Sequence, residues 1–465
     1  MILTALSAWN ARGGIPVIAS PSPRPGSTPR EHPVSFLQLD HLRAARASQA
    51  AGQPYRAFIG GLTLIDQPLE HAALAAAVTG FSTTHENTRT SFEERDGSYL
   101  RMVFSAESVE TIVSAGTPLG GADAARHITE HLAAQCAPWS APGCAFGAID
   151  HGGSFTLYYG ADHALTDGIS HGLALNELAQ RYLAHAGDAA FTFPTELAQP
   201  HSAYTLRESE AADRFAADPA LQQQWAGIFA LGDWRIPRFP LDLGLSPSET
   251  APVHIVSHHL LDDTGATAFE QACARHGARP SGAILAVLAL AEHQLTGSST
   301  YFGLTVLSTR TAEHSLSQGW FCNFVPVAFP LPADPSFTSL LPRAQASFDT
   351  AKDLAPTPVH AVLARFIAEG RLAPPTSTPQ MVNYLDTRRM PGAGTGPHRH
   401  GLIFTGEGRT SNANMWLVRT EDGLSLSSQT PSTPHAQEVL AGYFATLREI
   451  MATIAQTGEH RPSVL

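Results

Sequence analysis

The pattern of hydrophobic and polar positions in the first half of the chain predicts a strand, a loop and a helix in succession. Phe155–Tyr159 is a short run of aromatic and β-branched character, which is typical of a strand. The segment from about Gly168 to Ala184 predicts a helix. Between them lies the run His163-Ala164-Leu165-Thr166-Asp167-Gly168. His163 is therefore predicted in a strand-to-helix loop, a location where rigid scaffolds often carry chemistry.

The same pattern predicts further elements along the whole chain. Ala283–Ala291 is a continuous apolar run that predicts a buried helix, and Asp96-Gly97 marks a hairpin turn. Mixed strands and helices in two halves indicate an α/β or α+β fold. The remaining predicted elements are strands at Tyr55–Ile65, Cys144–Ile149, His254–Leu261, Thr300–Ser308 and Trp320–Leu331, helices at His41–Ala51, Leu69–Thr79, Ala122–Cys136, Thr267–His276, Ser281–Leu295, Ser336–Asp353 and Ala436–Ala455, and hairpins at Ser91–Val103 and Asn414–Ser428.

The chain has 465 residues, more than a single hydrophobic core usually serves, so two domains or subdomains are expected. A Pro- and Ser-rich start predicts an extended lead-in over residues 1–30. We expect an N-terminal half at 31–190, a connecting region at 191–252 with few clear elements, and a C-terminal half at 253–465.

Charge and composition narrow the possible functions. Acidic residues outnumber basic ones by 41 to 29, and no basic run is present, so nucleic acid is not expected as a partner. Four scattered cysteines indicate reduced thiols, and neither a signal peptide nor a transmembrane segment is predicted. We expect a cytoplasmic monomer. His258-His259 and His398-Arg399-His400 lack companion ligands at metal-site spacings, so no metal site is expected.

The run His163 to Gly168 permits two interpretations. An imidazole titrates near pH 6.5 and can act as a general base, and a helix N-terminus can stabilise an oxyanion beside a glycine that lets a ligand approach closely. Alternatively, His163 is an ordinary loop histidine and Asp167 is simply the N-cap of the next helix. Ser170 is a poor candidate nucleophile because it has no GxSxG elbow. Taken alone, the run favours the second interpretation.

The segments before and after this run favour the first interpretation, in which His163 is a general base. Asp162 to Gly168 resembles the HHxxxDG core of nonribosomal-peptide condensation domains, and it resembles more closely the polyketide-associated (Pap-type) acyltransferases, which share the chloramphenicol-acetyltransferase-like fold. Four other segments match in the right order, and together the five cover about residues 30 to 455. They are Pro33–Gln38 with His41-Leu42, similar to the opening Ser…Gln…Leu motif, His85–Phe92 to RHExLRTxF, Gly319–Pro326 to GxFxN, and Asn383–Arg388 with Pro391-Gly392 to YxDxRxxPG.

The resemblance implies a fold and a reaction. It implies two chloramphenicol-acetyltransferase-like subdomains that form a V-shaped pseudo-dimer with a central channel. It also implies transfer of an acyl group from a CoA or carrier-protein thioester to a hydroxyl, less readily an amine, of a lipid, glycolipid or polyketide-type acceptor. The expected partners are therefore acyl-CoA or an acyl or peptidyl carrier protein and a small-molecule acceptor, with no further cofactor.

The resemblance also implies roles for individual residues. His163 matches the general base, and Asp167 matches a structural aspartate that pairs with an arginine of the second half. Arg310 lies where that arginine falls in the family, although a surface arginine at a strand end is equally compatible with the sequence. If Asp167 pairs with Arg310, its role as a helix cap is weakened, and the sequence does not decide between the two. Asn323 either lines the channel or is a buried strand-end residue.

One departure bears on the reaction. Asp162 stands where the HHxxxDG motif has its first histidine, which points away from peptide condensation and towards free-standing acyl transfer. Two other classes of function stay open. The fold can hold a carrier protein without catalysis, or it can catalyse cyclisation or dehydration of a carrier-bound chain.

Overall fold

The computed structural model describes residues 2–6, 9–53, 55, 57–187, 190–246, 249–375, 379–406 and 408–462. The chain divides into two compact units. The first contains residues 1–209, 310–321 and 389–408, and the second contains 210–309, 322–388 and 409–465. Each unit is therefore built from separate stretches of sequence. This differs from the expected contiguous halves, because two short segments of the C-terminal half pack into the first unit.

The first unit has a seven-stranded sheet and a separate three-stranded sheet. The large sheet has the order β1-β14-β4-β9-β8-β2-β7, and the small one has the order β3-β6-β5. The strands of this unit are β1 (Ile2–Leu3), β2 (Ile15–Pro23), β3 (Arg30–Pro33), β4 (Phe58–Ile65), β5 (Thr90–Arg95), β6 (Ser98–Val103), β7 (Val109–Ala115), β8 (Cys144–Asp150), β9 (Phe155–Asp162) and β14 (Leu402–Thr405). Its helices are α1 (Phe36–Ala50), α2 (His71–Thr84), α3 (Gly121–Gln135), α4 (Gly168–His185), the start of α5 (His201–Ala217), and the short α11 (Gly396–Arg399).

The second unit has one seven-stranded sheet of order β12-β11-β13-β16-β17-β10-β15. Its strands are β10 (Ala251–Asp262), β11 (Thr300–Ser308), β12 (Cys322–Pro330), β13 (Met381–Asp386), β15 (Arg409–Thr410), β16 (Asn414–Thr420) and β17 (Gly423–Pro431). Its helices, after the end of α5, are α6 (Pro219–Leu231), α7 (Asp263–Arg275), α8 (Pro280–Thr296), α9 (Phe337–Leu354), α10 (Val359–Ala368) and α12 (Pro434–Thr457). The mixed α/β class predicted from the sequence is confirmed.

Most of the predicted elements are present. The turn Asp96-Gly97 joins β5 and β6, with both residues at positive φ as a tight hairpin requires. The apolar run Ala283–Ala291 lies in α8 and is buried along its whole length. It belongs to the core of the second unit, together with residues of α9 and α12. None of the helices in the described part of the chain is long and apolar enough to cross a bilayer.

The expected lead-in over residues 1–30 is instead partly a strand of the large sheet, because β2 pairs with both β7 and β8. Proline lacks the N–H that a central strand needs, so the prolines of this segment argued against a strand. Pro21 and Pro23 lie where β2 pairs only with β7, since the pairing with β8 ends at Ala19. The strand therefore tolerates both prolines at a position that behaves as an edge.

The region 191–252 also differs from expectation, because it holds two regular helices, α5 and α6. The start of α6 carries a clear sequence signal. Asp218 caps it by accepting hydrogen bonds from the amides of Ala220 and Leu221, and Pro219 occupies its first turn. All four cysteines lie in the described part of the chain and are free thiols, as expected.

Candidate active site

The loop that carries His163 is short and held at both ends. β9 ends at Asp162, His163–Leu165 form one 3-10 turn, and α4 begins at Gly168. The His163 amide donates to the Ala57 carbonyl at 2.9 Å, and the Ala164 amide donates to Asp162 Oδ1 at 2.9 Å. The predicted strand-to-helix loop is thus present, and its backbone is fixed by hydrogen bonds on either side of the histidine.

Side chains from two of the motifs identified in the sequence donate hydrogen bonds to the same 3-10 turn. The Gln38 side-chain amide donates to the Ala164 carbonyl at 2.8 Å, and the Asn87 side-chain amide donates to the Leu165 carbonyl at 2.9 Å. Gln38 also forms a capping box with Ser35 at the start of α1. The opening motif and the His85–Phe92 segment therefore position the loop through buried amides.

The His163 ring is partly buried and packs against the indole of Trp320, with ring centroids 4.3 Å apart. Its Nδ1 atom is buried, and no other described residue hydrogen-bonds to it. Burial and, to a smaller extent, the nearby His41 lower the pKa of His163 to about 4, although its own carbonyl, Asp162 and Asp167 act in the opposite direction. His163 is therefore neutral at pH 7, the form that can accept a proton.

Asp167 is buried and all of its acceptor capacity is used. Oδ1 accepts the Ser170 amide at 2.6 Å and Arg310 Nη2 at 3.1 Å, while Oδ2 accepts the Phe321 amide at 2.9 Å and the same Nη2 at 3.2 Å. Burial alone would raise the pKa of Asp167, but Arg310 and the amide donors outweigh it and lower the pKa. Asp167 both caps α4 and pairs with Arg310, so the two alternatives left open by the sequence coexist.

Arg310 is nearly fully buried and makes the predicted ion pair. Its Nη1 donates to the carbonyls of His314 at 3.0 Å and Ser317 at 2.7 Å, and its guanidinium lies 4.4 Å from the centroid of the Phe321 ring. The interpretation as a surface arginine is therefore wrong. The expectation that Arg310 joins the two halves is also revised, because the segment 310–321 belongs to the same compact unit as Asp167. The pair anchors that segment to α4.

Ser170 does not stand ready as a nucleophile. Its hydroxyl donates to the Gly319 carbonyl at 2.7 Å and accepts from the Gly319 amide at 3.1 Å and from Arg310 Nη2 at 2.6 Å. It therefore fastens the segment 310–321 alongside the ion pair. Gly168, at the first position of α4, is exposed, and a Cβ placed there would meet no atom within 4 Å. Space is available beside its backbone.

Asn323 lies in the second unit, near the start of β12, and is buried. Its side-chain amide nitrogen donates to the carbonyls of Ala355 at 2.9 Å and Thr357 at 2.5 Å, and its oxygen accepts from the amides of Phe324 at 2.9 Å and Val359 at 3.1 Å. These four bonds attach the strand to the loop between α9 and α10, which supports the strand-end interpretation of Asn323. 

Metal sites were not expected from the histidine pairs. Among the residues that the structure describes, no three His, Cys, Asp or Glu side chains cluster in a way that suits a metal ion. The expectation that the reaction needs no cofactor stays a prediction.

The sequence missed three side chains around His163. Trp320 and His41 contribute rings at centroid distances of 4.3 Å and 6.1 Å from the His163 ring, and Tyr55 packs edge-on against His41. Two of them lie inside segments that the motifs had already singled out, since His41 follows the opening motif and Trp320 lies in the GxFxN-like segment. Neither segment indicated that its aromatic residue would contact the histidine loop.

Comparisons with known proteins show which family this chain belongs to. The family model described as "Condensation domain" matches residues 47–364, which is more than half of the chain. The acyltransferase PapA1 of Mycobacterium tuberculosis is 28% identical over 98% of this chain and 89% of its own length, and PapA3 of the same species is 28% identical over 92% and 90%.

Solved structures give the same result. A structure of PapA2 acyl transferase superposes with a TM-score of 0.88 at 25% identity and covers 98% of this chain and 100% of its own. The first condensation domain of the calcium-dependent antibiotic synthetase shares the fold, with a TM-score of 0.68 at 18% identity over 92% of this chain and 98% of its own. The chain belongs to the condensation-domain family and is an acyltransferase.

Proposed function

We propose that this acyltransferase moves an acyl group from a CoA or carrier-protein thioester to a sugar or lipid hydroxyl, with His163 as the general base. The observation that carries the proposal is the state of His163: a neutral imidazole, partly exposed, on a turn whose backbone is hydrogen-bonded on both sides. Since Nδ1 is buried, Nε2 is the ring nitrogen that an acceptor hydroxyl can reach.

The reaction is a direct transfer. His163 Nε2 takes the proton of the acceptor hydroxyl as its oxygen attacks the thioester carbonyl carbon. The tetrahedral intermediate then collapses, the carbon–sulfur bond breaks, and the imidazolium returns the proton to the leaving thiolate. The products are an ester and a free thiol, and the step as written is redox-neutral.

Asp167 supports this reaction without contacting substrate, because both of its carboxylate oxygens are occupied by Arg310 and by backbone amides. The open space beside Gly168, at the positive end of the α4 dipole, suits the oxyanion of the intermediate. Positioning and oxyanion stabilisation then supply much of the rate enhancement.

The names of the relatives favour a hydroxyl on a sugar as the acceptor. PapA1 is a 2'-acyl-2-O-sulfo-trehalose (hydroxy)phthioceranyltransferase, and PapA2 is a trehalose-2-sulfate acyltransferase. A glycolipid or polyketide-type alcohol is therefore preferred over an amine as the acceptor of this chain. A monomeric state, a cytoplasmic location and either a CoA or a carrier-protein thioester as the donor complete the proposal.

The test is transfer of radiolabelled palmitoyl groups from palmitoyl-CoA to trehalose 2-sulfate and related glycolipids by wild type and His163→Ala. We expect the variant to lose about 10²- to 10⁴-fold in kcat, the contribution typical of a general base. His259→Ala, which removes an exposed histidine on β10, is the matched control and is expected to keep wild-type rates.

Circular dichroism checks that His163→Ala is folded. A folded variant that retains near wild-type turnover contradicts the general-base role. Product mass separates the competing functions, because transfer adds the acyl mass, dehydration or cyclisation removes water, and a non-catalytic carrier-binding protein gives no product.

A further inference from the structure

Three side chains that the proposed mechanism does not use meet beside His163. His41 Nε2 lies 3.0 Å from Asp162 Oδ1, and the Tyr55 hydroxyl contacts the same His41 nitrogen. The three residues come from different elements: α1, the segment before β4, and the end of β9. Asp162 is fully buried and the His41 side chain is 11% exposed, so the contact is shielded from water.

A buried carboxylate is costly unless it is paired and hydrogen-bonded, so Asp162 needs this arrangement. Its Oδ1 accepts the Ala164 amide as well as facing His41. In the described part of the chain, the Asp162 carboxylate faces the His41 ring nitrogen at 3.0 Å. Burial and the Asp162 charge both raise the pKa of Tyr55, which keeps its phenol protonated beside the pair.

The pair also lies close to the His163 ring. The rings of His41 and His163 have centroids 6.1 Å apart, and both pack on Trp320, at 5.8 Å and 4.3 Å. Asp162 is the residue directly before His163 in the chain, and it caps the turn that carries it. A change at His41 is therefore transmitted to His163 through the turn and across a short distance through space.

We propose that His41 is a positioning residue for acyl transfer: its contact with Asp162 fixes the turn that bears His163, and its ring sets the electrostatic surroundings of the His163 imidazole. The proposal rests on the general-base role of His163. It also gives a reason for the departure of Asp162 from the HHxxxDG motif, because the histidine absent from that position is supplied from α1 as the partner of the aspartate.

Electrostatics around His163 support the proposal. After burial, His41 is the strongest of the influences that lower the pKa of His163, and Asp162 and Asp167 raise it. Unit charges about 6 Å apart shift a titration by about 0.5 pH units in water and by about 2 at an effective dielectric constant of about 20. The titratable or charged groups that face His163 or its immediate neighbours are His41 of α1, Tyr55, Asp162 of β9, Asp167 and His171 at the start of α4, and Arg310.

The test is the His41→Gln variant, because glutamine can still donate a hydrogen bond to Asp162 but carries no charge. We expect the acid limb of the kcat/KM profile, and the NMR titration of the His163 ring, to move up by about 0.5 to 2 pH units, with kcat at pH 8 reduced less than 10-fold. His41→Leu removes the hydrogen bond as well, so it is expected to lower kcat at every pH.

Two variants serve as controls. Tyr55→Phe removes a hydroxyl but no charge, so the titration of His163 should stay where it is in wild type. His131→Gln alters a second histidine with a tyrosine hydroxyl partner, at 2.9 Å from Tyr158, and should change neither rate nor profile.

An acid limb and a His163 titration that do not move in folded His41→Gln would overturn the proposal, whatever the rate. Loss of transfer in His163→Ala combined with that result would leave the general-base role standing and reject only the role of His41. Retained transfer in His163→Ala would reject the general base itself, and the NMR titration would still report whether His41 sets the charge of His163.

Discussion

Removing the Asp167 carboxylate should damage the scaffold around the histidine loop more than the chemistry. The substitution Asp167→Ala deletes the acceptor for the amides of Ser170 and Phe321 and for Arg310 Nη2. It leaves a guanidinium whose side chain is only 7% exposed without its counter-charge. The segment 310–321 then loses one of its attachments to the start of α4, and the Ser170 hydroxyl bonds to Gly319 and Arg310 remain.

The magnitude follows from these contacts. Breaking a buried ion pair by removing one partner costs about 3–5 kcal/mol, and losing an N-cap costs about 1 kcal/mol more. A domain is typically stable by about 5–15 kcal/mol, so Asp167→Ala consumes a large part of the stability of the first unit. Asp167→Asn keeps an acceptor for one amide and should cost less, near the lower end of the range. Replacing both members, in Asp167→Ala with Arg310→Ala, should cost less than the sum of the single substitutions because the two groups interact directly.

The stabilising contribution of Asp167 should decrease as the pH falls. The pKa of Asp167 is lowered in the folded protein, so its ionised form stabilises the fold above the unfolded value of about 3.8. That contribution is lost as the pH falls through the folded pKa. The stability difference between wild type and Asp167→Asn should therefore be constant from pH 5 to 7 and shrink below about pH 4.

Hydrogen–deuterium exchange read by mass spectrometry is the suitable assay, because it reports α4 and the segment 310–321 separately from the second unit. We expect faster exchange in both peptides of the Asp167 variants and unchanged exchange in α8. An Asp167→Ala protein with wild-type exchange in α4 and full activity would refute the structural role of the pair. A stability difference that persists unchanged to pH 2 would refute its electrostatic origin.

Two further predictions separate the site from the scaffold. A Cβ added at Gly168, at the start of α4, meets no atom within 4 Å, so we expect Gly168→Ala to keep the wild-type thermal midpoint. We expect its kcat/KM, measured by steady-state transfer, to be at least 10-fold lower because the methyl group occupies the proposed oxyanion site. Unchanged kinetics would show that Gly168 is not part of that site. Asn323→Ala deletes four hydrogen bonds to the backbone and should destabilise the second unit by about 3 kcal/mol in chemical denaturation while preserving turnover per folded molecule. A stable Asn323→Ala protein with lost turnover would instead place Asn323 at the substrate.

The local pattern of hydrophobic and polar residues was sufficient to predict elements whose structure depends mainly on their own residues. The apolar strand β9 and the helix α4 were both predictable from a few consecutive residues, and the position of His163 between them followed. The pattern failed at β2, where three prolines conceal a strand whose last residues pair on one side only. It also failed at α5 and α6, where the cap Asp218-Pro219 was readable but the surrounding Pro- and Asp-rich sequence suggested a linker.

Contacts between residues that lie far apart in the chain could not be predicted from the sequence, for a different reason. The segment 310–321 lies far along the chain from α4, yet it packs into the first unit through Arg310 and Ser170. The approach of His41 to Asp162 is likewise a contact between residues 121 positions apart. Neither juxtaposition is encoded in spacing along the chain, because each arises only when separate elements pack together.

From the sequence, capping a helix and pairing with Arg310 were alternative roles for Asp167, but the two roles are compatible. A carboxylate has two oxygens, each able to accept more than one hydrogen bond, so one side chain can cap a helix and hold an arginine at the same time. Oδ1 joins the Ser170 amide to Arg310, and Oδ2 joins the Phe321 amide to the same guanidinium. The negative charge of Asp167 is thereby neutralised inside the scaffold and is not offered to a proton or a substrate. In the proposed mechanism proton transfer in this loop falls to His163, so substitutions at the two positions should be told apart by stability in one case and by rate in the other.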